Sequence, residues 1–135
     1  MINGRAVVGI IQHVTNSNYF LVGLKKGDLE KFLAGQWHLP SETVEGNESD
    51  HDALHRLAAE ELNIKITIGD QIATHKSPTG KDVVWYICFT EQKTFTAGSD
   101  LEKACWIHKD EVTETCWEID KLWPKQVKEY FSISK

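Results

Sequence analysis

Short apolar runs separated by polar turns dominate the first part of the chain. The runs Arg5–Val14 and Tyr19–Leu24 predict two β-strands, with the polar turn Thr15–Asn18 between them. Trp37–Pro40 predicts a short strand, which ends at the proline because proline cannot donate to a strand ladder. The polar stretch Ser41–Asn47 that follows predicts a loop.

A helix is predicted directly after this loop. Ser49 suits the N-cap position, and the carboxylates of Asp50 and Asp52 suit the positive end of the helix dipole. The helix is expected to run to about Leu62. Asn63 would then follow as the residue that adopts the left-handed conformation, which asparagine tolerates better than most residues.

The rest of the chain is richer in strands than in helices. Ile64–Ile68 alternates apolar and polar residues, which is typical of a half-buried strand. Val83–Thr90 predicts a central strand and Ala104–Ile107 a short one, whereas Pro124–Phe131 predicts a closing helix. Lys25–Gln36 carries charges and a glycine, and we interpret it as a connection. The mixture predicts an α/β sandwich with a mixed sheet.

Composition narrows the class of protein. The 135 residues suit one domain, residues 1–135, and 41% apolar residues can bury a core without disulfides. The net charge is −5 and the 15 lysines and arginines are scattered, which argues against a nucleic-acid polymer as partner. An acidic protein that binds a polyphosphate normally needs a divalent cation between the two negative parties.

Three cysteines, Cys88, Cys105 and Cys116, are an odd number without CxxC spacing. This argues against a disulfide framework and against a zinc ribbon, and it favours the reducing cytoplasm. The first residues lack the pattern of a signal peptide, and no apolar stretch approaches membrane-spanning length, so no membrane partner is expected.

Two adjacent glutamates occupy an unusual place on the predicted helix. With 100° per residue and Ala53 at zero, Leu57 falls near ~40° and Leu54 near ~100°. Glu61 then falls near ~80°, in the middle of this apolar arc, and Glu60 near ~340°, at its margin. Burying an unpaired carboxylate costs several kcal/mol, which a bound cation or a fixed basic partner would largely remove. The alternative is that Glu61 reaches the edge or pairs with a lysine.

The wider pattern resembles the Nudix box. That motif is a glycine, five residues, Glu, seven residues, Arg-Glu, an aliphatic residue, any residue, Glu-Glu, any residue, glycine and an aliphatic residue. Here Glu48 is followed after seven residues by Arg56, then by Glu60 and Glu61 in register and by Ile64 at the last position. The residues that precede the motif also resemble those of the family. The resemblance covers nearly the whole chain.

Membership of this family would imply an α/β/α sandwich that hydrolyses a nucleoside diphosphate linked to another moiety. The resemblance implies Mg²⁺ or Mn²⁺ held by Glu60 and Glu61, with Ser41 as a further ligand in the loop. Such ions would neutralise the pyrophosphate oxygens and orient the attacking water. A homodimer that pairs through a strand edge would also fit the family.

The resemblance assigns roles to three more residues. Arg56 and Glu48 would hold helix and loop in register, and Arg56 is counted with the catalytic residues. Glu102, four residues before Trp106, resembles the acidic residue that many members place across the site. It is expected to serve as a further ligand or as the base.

Three positions depart from the family pattern. Leu57 stands where the family has a Glu, which would weaken metal affinity or turnover unless Glu102, Glu45 or Glu42 substitutes. Ser41-Glu42 replaces a glycine pair, and an asparagine replaces the last glycine of the motif. A Nudix-fold binding or regulatory module that hydrolyses slowly or not at all is therefore the second hypothesis.

A third hypothesis concerns the histidines of the same helix. His51 and His55 have the i,i+4 spacing of a zinc helix, but the residue after the first is Asp and no third ligand is evident. On the wheel both lie roughly opposite the acidic edge, so we expect solvent-exposed side chains rather than a zinc peptidase.

Overall fold

The structure, a computed structural model, describes residues 4–26, 35–77, 80–98, 101–116 and 123–132. The strands in these residues are β1 (Arg5–His13), β2 (Tyr19–Lys25), β3 (Trp37–His38), β4 (Ser41–Thr43), β5 (Thr67–Lys76), β6 (Asp82–Thr90) and β7 (Leu101–His108). The helices are α1 (Asp50–Leu57), which continues as a π-helical turn (Ala58–Leu62), α2 (Lys109–Thr115) and α3 (Lys125–Ser132).

β1 is the central strand of a mixed sheet. β6 runs parallel to it along its whole length, from the pair Arg5 and Asp82 to the pair His13 and Thr90. The other pairings are antiparallel: β4 and β2 flank the start and the end of β1, β5 flanks β6, and β3 and β7 both pair with β2. The last seven residues of β1 are buried, as expected of a strand that is covered on both faces.

Alternate side chains of the sheet fill two separate cores. Val7 and Val84 belong to the core that α1 covers. Val8 and Trp85, their neighbours in sequence, belong to the core that α2 and α3 cover on the opposite face. Because successive residues of a strand point to opposite faces, one strand serves both layers. The predicted α/β/α sandwich with a mixed sheet is therefore confirmed.

Local signals place both ends of the acidic helix. The Ser49 hydroxyl accepts from the Asp52 N–H at 3.0 Å, and the Asp52 carboxylate accepts from the Ser49 N–H at 3.4 Å, which completes a capping box. At the other end Asn63 has φ 55° and ψ 41°, and its N–H donates to the Ala58 carbonyl. The predicted left-handed cap is thus present.

The strand predicted at Ile64–Ile68 is wrong in its bounds. Ile64 and Ile66 are buried, but the ladder begins only at Thr67 and continues to the end of β5. The backbone of Lys65 instead bonds to two side chains, with its N–H donating to the Gln92 side chain and its carbonyl accepting from Thr90. Such distant side-chain partners leave no periodic signal in the sequence.

Two elements were not predicted. Ser41–Thr43, taken for part of a loop, is β4, which pairs with β1 from the pair Val8 and Ser41 to the pair Ala6 and Thr43. Lys109–Thr115 forms α2, and the Lys109 N–H donates to the Asn18 carbonyl at 2.7 Å. Much of the Lys25–Gln36 connection, residues 27–34, lies outside the described residues. None of the helices in the described stretches is long and apolar enough to cross a membrane.

A buried histidine ties β3 to the core under α2 and α3. The His38 ring is 5% exposed and packs edge-on against Trp85 and Trp123. Its Nε2 accepts from the Trp123 indole N–H at 3.3 Å, so its Nδ1 carries the proton that it donates to the Leu39 carbonyl at 2.7 Å. Burial lowers the pKa of His38 to about 4, so the ring is neutral at pH 7.

We predict that the free energy of unfolding falls as the pH drops from about 6.5 to about 4. In this range the unfolded chain binds a proton at His38 whereas the folded chain does not, which costs roughly 3 kcal/mol at the lower end. Burial lowers the pKa of His75 as well, which adds a loss of the same sign. Urea denaturation at several pH values measures the slope, and His38→Phe should flatten it while His55→Phe, at an exposed site, should not. Equal slopes in the wild type and His38→Phe would contradict this assignment.

Candidate functional site

One arginine joins the three segments that build the candidate site. On α1, Arg56 donates from Nε to Glu48 Oε2 at 2.8 Å and from Nη2 to Glu48 Oε1 at 3.0 Å. The same Nη2 donates to the backbone carbonyl of Thr43, at the end of β4, at 2.7 Å. We call this set of bonds the Arg56 clamp. It contains the Arg56–Glu48 contact that the sequence predicted, and it fixes helix, loop and strand relative to one another.

The clamp stays ionised over the physiological pH range. The hydrogen bond from Arg56 lowers the pKa of Glu48 to about 2, and the Glu45 backbone N–H, which donates to Glu48 at 2.9 Å, lowers it further. In return, Glu48 raises the pKa of Arg56 above its already high usual value. A bidentate pair of this kind has a defined geometry as well as charge.

Three further carboxylates surround the same guanidinium. Arg56 lies 3.5 Å from Glu42, 3.8 Å from Glu45 and 3.6 Å from Glu60, measured between the nearest nitrogen and oxygen atoms. Together with Glu48, four negative charges meet one positive charge, so the cluster carries an excess of three negative charges. This excess gives the surface an affinity for cations.

Glu60 and Glu61 lie side by side in the π-helical turn but in different surroundings. The Glu60 side chain is 54% exposed, whereas Glu61 is 1% exposed and lies beside the core under α1. This matches the predicted positions at the margin and in the middle of the apolar arc. π-Helical turns are rare and often occur at functional sites. Here the turn sets the direction of the two carboxylates.

The segment before β7 is bonded to this turn. The Gly98 N–H donates to the Glu61 carbonyl at 2.9 Å, and the Thr96 N–H donates to the Leu62 carbonyl at 3.0 Å. A Cβ at Gly98 would lie 2.8 Å from the Glu60 carbonyl oxygen, so only glycine allows this approach. The backbone that carries the two glutamates is therefore bonded to the segment before β7 and is also continuous with α1.

Two predicted site residues are not joined to the Arg56 clamp by any bond. Glu102 is the second residue of β7, and its exposed side chain makes no hydrogen bond or ion pair with the described residues. It lies four residues after Gly98 and thus follows the segment that is bonded to the π-helical turn. Ser41 is half-buried in β4 opposite Val8, on the face away from Glu42 and the clamp.

The departures from the motif have structural explanations. Leu57 is 0% exposed and belongs to the core under α1, so a packing side chain stands where the family has a carboxylate. Glu42, in place of a glycine, turns towards Arg56. The Thr43 carbonyl is a part of the clamp that sequence reasoning missed, because a backbone acceptor is not visible in residue identity.

The structure gives little support to a zinc site on α1 or to a reactive cysteine. His51 and His55 are exposed, as expected, and the His51 ring lies edge-on against Tyr86. Within the described parts of the chain, no group of three His, Cys, Asp or Glu side chains could by itself hold a metal ion. Burial raises the pKa of Cys88 to about 12, so this thiol is not a reactive nucleophile.

Comparison with known proteins identifies a family whose members resemble this chain. A family model described as NUDIX domain matches residues 4–129. The comparison with curated proteins gives no match.

Solved structures share the fold at low sequence identity. A Nudix hydrolase from Nitrosomonas europaea is 17% identical with a TM-score of 0.78, over 98% of this chain and 72% of that one. An Ap4A hydrolase binary complex from C. elegans is 17% identical with a TM-score of 0.74, over 96% and 97%. The NUDIX domain of Shewanella oneidensis NrtR, complexed with ADP ribose, is 15% identical with a TM-score of 0.68, over 93% and 86%.

We predict that Arg56→Met lowers the free energy of unfolding by about 1–3 kcal/mol, because it leaves a charged acceptor and a backbone carbonyl without their donor. Chemical denaturation of the purified variant measures the loss. Glu45→Gln is the matched control, since Glu45 is 70% exposed and its contact is the longest of the cluster, and it should change stability little. Equal effects of the two substitutions would show that the clamp does not organise the site.

Proposed function

The chain belongs to the Nudix domain family, and on that premise we propose that it is a metal-dependent hydrolase. Its substrate would be a nucleoside diphosphate linked to another moiety, cleaved at the pyrophosphate bond. The excess of carboxylates around Arg56, beside the pair Glu60 and Glu61, is the observation that supports this activity most directly. The three free cysteines support a cytoplasmic location.

The donor set suits Mg²⁺ or Mn²⁺. Magnesium usually keeps several waters and binds through one or two carboxylates plus the phosphates of its substrate, rather than in a cage made by protein alone. Glu60 and Glu61 would be those carboxylates, and the substrate would complete the coordination. When bound, the ion would neutralise charge on the pyrophosphate and activate water.

The protein's own residues would then divide the remaining work. Arg56 and Glu48 position the π-helical turn relative to β4, and the contact from Arg56 restrains the exposed Glu60 carboxylate. Since Leu57 supplies no base, another carboxylate would take the proton from water. Glu102 is best suited, because it is exposed and makes no ion pair with the described residues, whereas Glu42 is engaged by Arg56.

A second candidate function is a binding or regulatory module that binds a nucleotide at the same site. The complete burial of Leu57 favours it, because the missing carboxylate would slow the chemical step but leave nucleotide binding in place. The similar NUDIX domain of NrtR is a protein of this fold that was solved with bound ADP ribose.

We predict that the wild type releases phosphate or a nucleoside monophosphate from at least one member of a nucleotide panel with Mg²⁺ or Mn²⁺. Glu60→Gln and Glu61→Gln should each lower kcat/KM by roughly 10–100-fold or more, because each removes a charge that would bind the ion. Glu129→Gln, at an exposed site on α3, is the control and should leave the rate unchanged. If nothing is turned over but nucleotides raise the melting temperature, the binding module replaces the hydrolase.

A separate prediction concerns the carboxylate that the motif lacks. Leu57→Glu should lower the melting temperature in EDTA, because an unpaired carboxylate in the core costs several kcal/mol. Leu57 lies three and four residues before the two glutamates, on the same helix side, so Mn²⁺ bound there should restore part of the loss. The glutamine of Leu57→Gln is about as large as the glutamate of Leu57→Glu but carries no charge. Mn²⁺ should therefore not raise the melting temperature of Leu57→Gln. Equal recovery of both variants would argue against an ion at this site.

A further inference from the structure

A small cavity lies on the face of the sheet that α2 and α3 cover. Its walls come from β1 and β2 with the turn between them, from the start of α2 and from the end of α3, and its volume is about 190 Å³. The Lys109 N–H donates to the Asn18 carbonyl at 2.7 Å, which joins the turn to α2. Since a cavity of about 150 Å³ can hold benzene, this one has room for a single planar ring.

Three aromatic rings form one wall of this cavity. Phe20 and Phe131 are each 3% exposed, and their ring centroids lie 5.0 Å apart with the planes at 74°. The Tyr130 ring lies edge-on to Phe131, with the centroids 5.5 Å apart. Aromatic rings favour such edge-to-face and offset contacts with one another, so this wall suits a flat ring as a ligand.

The polar part of the cavity is an amide beside a hydroxyl. Gln12 is 8% exposed, and its Oε1 accepts from the Tyr130 hydroxyl. The Gln12 amide nitrogen can only donate, and it has no acceptor among the residues that the structure describes. The Tyr130 oxygen has already given its one proton to Gln12, so it can now only accept. One open donor and one open acceptor therefore lie next to each other, although buried polar groups are nearly always hydrogen-bonded.

The cavity is separate from the acidic cluster around Arg56. Gln12 pairs with Phe20, whose side chain belongs to the core under α2 and α3. The Arg56 clamp holds β4 opposite the start of β1, where Thr43 pairs with Ala6. These two places lie six residues apart along β1, about 20 Å at the rise of a strand. A single ring in the cavity is therefore too small to reach the carboxylates of that cluster.

We propose that this cavity is a second ligand site, which binds a small planar heterocycle with a lactam edge, that is, a ring carbonyl beside a ring N–H. The ligand carbonyl accepts from the Gln12 amide, while the ligand N–H donates to the Tyr130 oxygen. The ring itself packs against Phe20 and Phe131. This site does not depend on the proposed hydrolase activity, because it shares no residue with the acidic cluster.

Titration with 2-pyridone, a single ring with this edge, tests the site. Backbone amide NMR signals should shift at Gln12, Asn18 and Lys109 and saturate with a millimolar Kd, as expected for so small a ligand. Tyr130→Phe removes only a hydroxyl and should weaken binding roughly threefold or more, because one hydrogen bond is lost. Tyr19→Phe, which removes an exposed hydroxyl outside the cavity, is the matched control and should leave the Kd unchanged.

A second compound separates the polar contacts from shape. N-methyl-2-pyridone keeps the carbonyl but lacks the ring N–H, so it should bind more weakly than 2-pyridone, and Tyr130→Phe should not weaken it further. Equal binding of the two compounds, or an equal loss in Tyr130→Phe and Tyr19→Phe, would overturn the proposal. A wild type without shifts at the three amides would overturn it too. So would shifts confined to residues around Arg56, because the ligand would then lie in the acidic cluster.

Discussion

The hydrogen bonds of one guanidinium determine the geometry of the candidate site. Arg56 makes two bonds to Glu48 and one to the Thr43 carbonyl, so a helix, a loop and a strand share a single rigid junction. Arginine suits this role because its planar fork remains charged and matches a carboxylate with two parallel bonds. The carboxylates of Glu42, Glu45 and Glu60 gather around the same group and give the site its negative charge.

This junction is useful only because the sheet holds it in place. β4 pairs with β1, the central strand, and β1 pairs with β6 along its full length. α1 packs its buried side chains on one face of that sheet, so both ends of the Arg56 clamp are anchored in the same core. On the other side the Gly98 backbone fits against the Glu60 carbonyl. Packing thus fixes the backbone of Glu60 and Glu61 next to the negatively charged cluster around Arg56.

Much of this could be predicted from sequence where the signal is local. The Ser49 cap, the left-handed Asn63 and the burial of Glu61 beside exposed Glu60 follow from propensity and from the helical period. Prediction failed at β4 and at the start of β5, where partners lie far away in the chain. The Thr43 carbonyl also lay beyond prediction, since its partner is set by the tertiary fold and not by residue type. The roles of Glu102 and Ser41 remain predictions.

If Glu60 and Glu61 bind a divalent ion at the edge of a nucleotide site, diffraction should locate that ion. Anomalous diffraction at the manganese edge, from crystals grown with Mn²⁺ and ADP, is the decisive measurement. We expect a peak at about 2.0–2.2 Å from a carboxylate oxygen of Glu60 or Glu61, with a phosphate oxygen among the other ligands. A bound nucleotide without such a peak, or a peak at a distant site only, would contradict it.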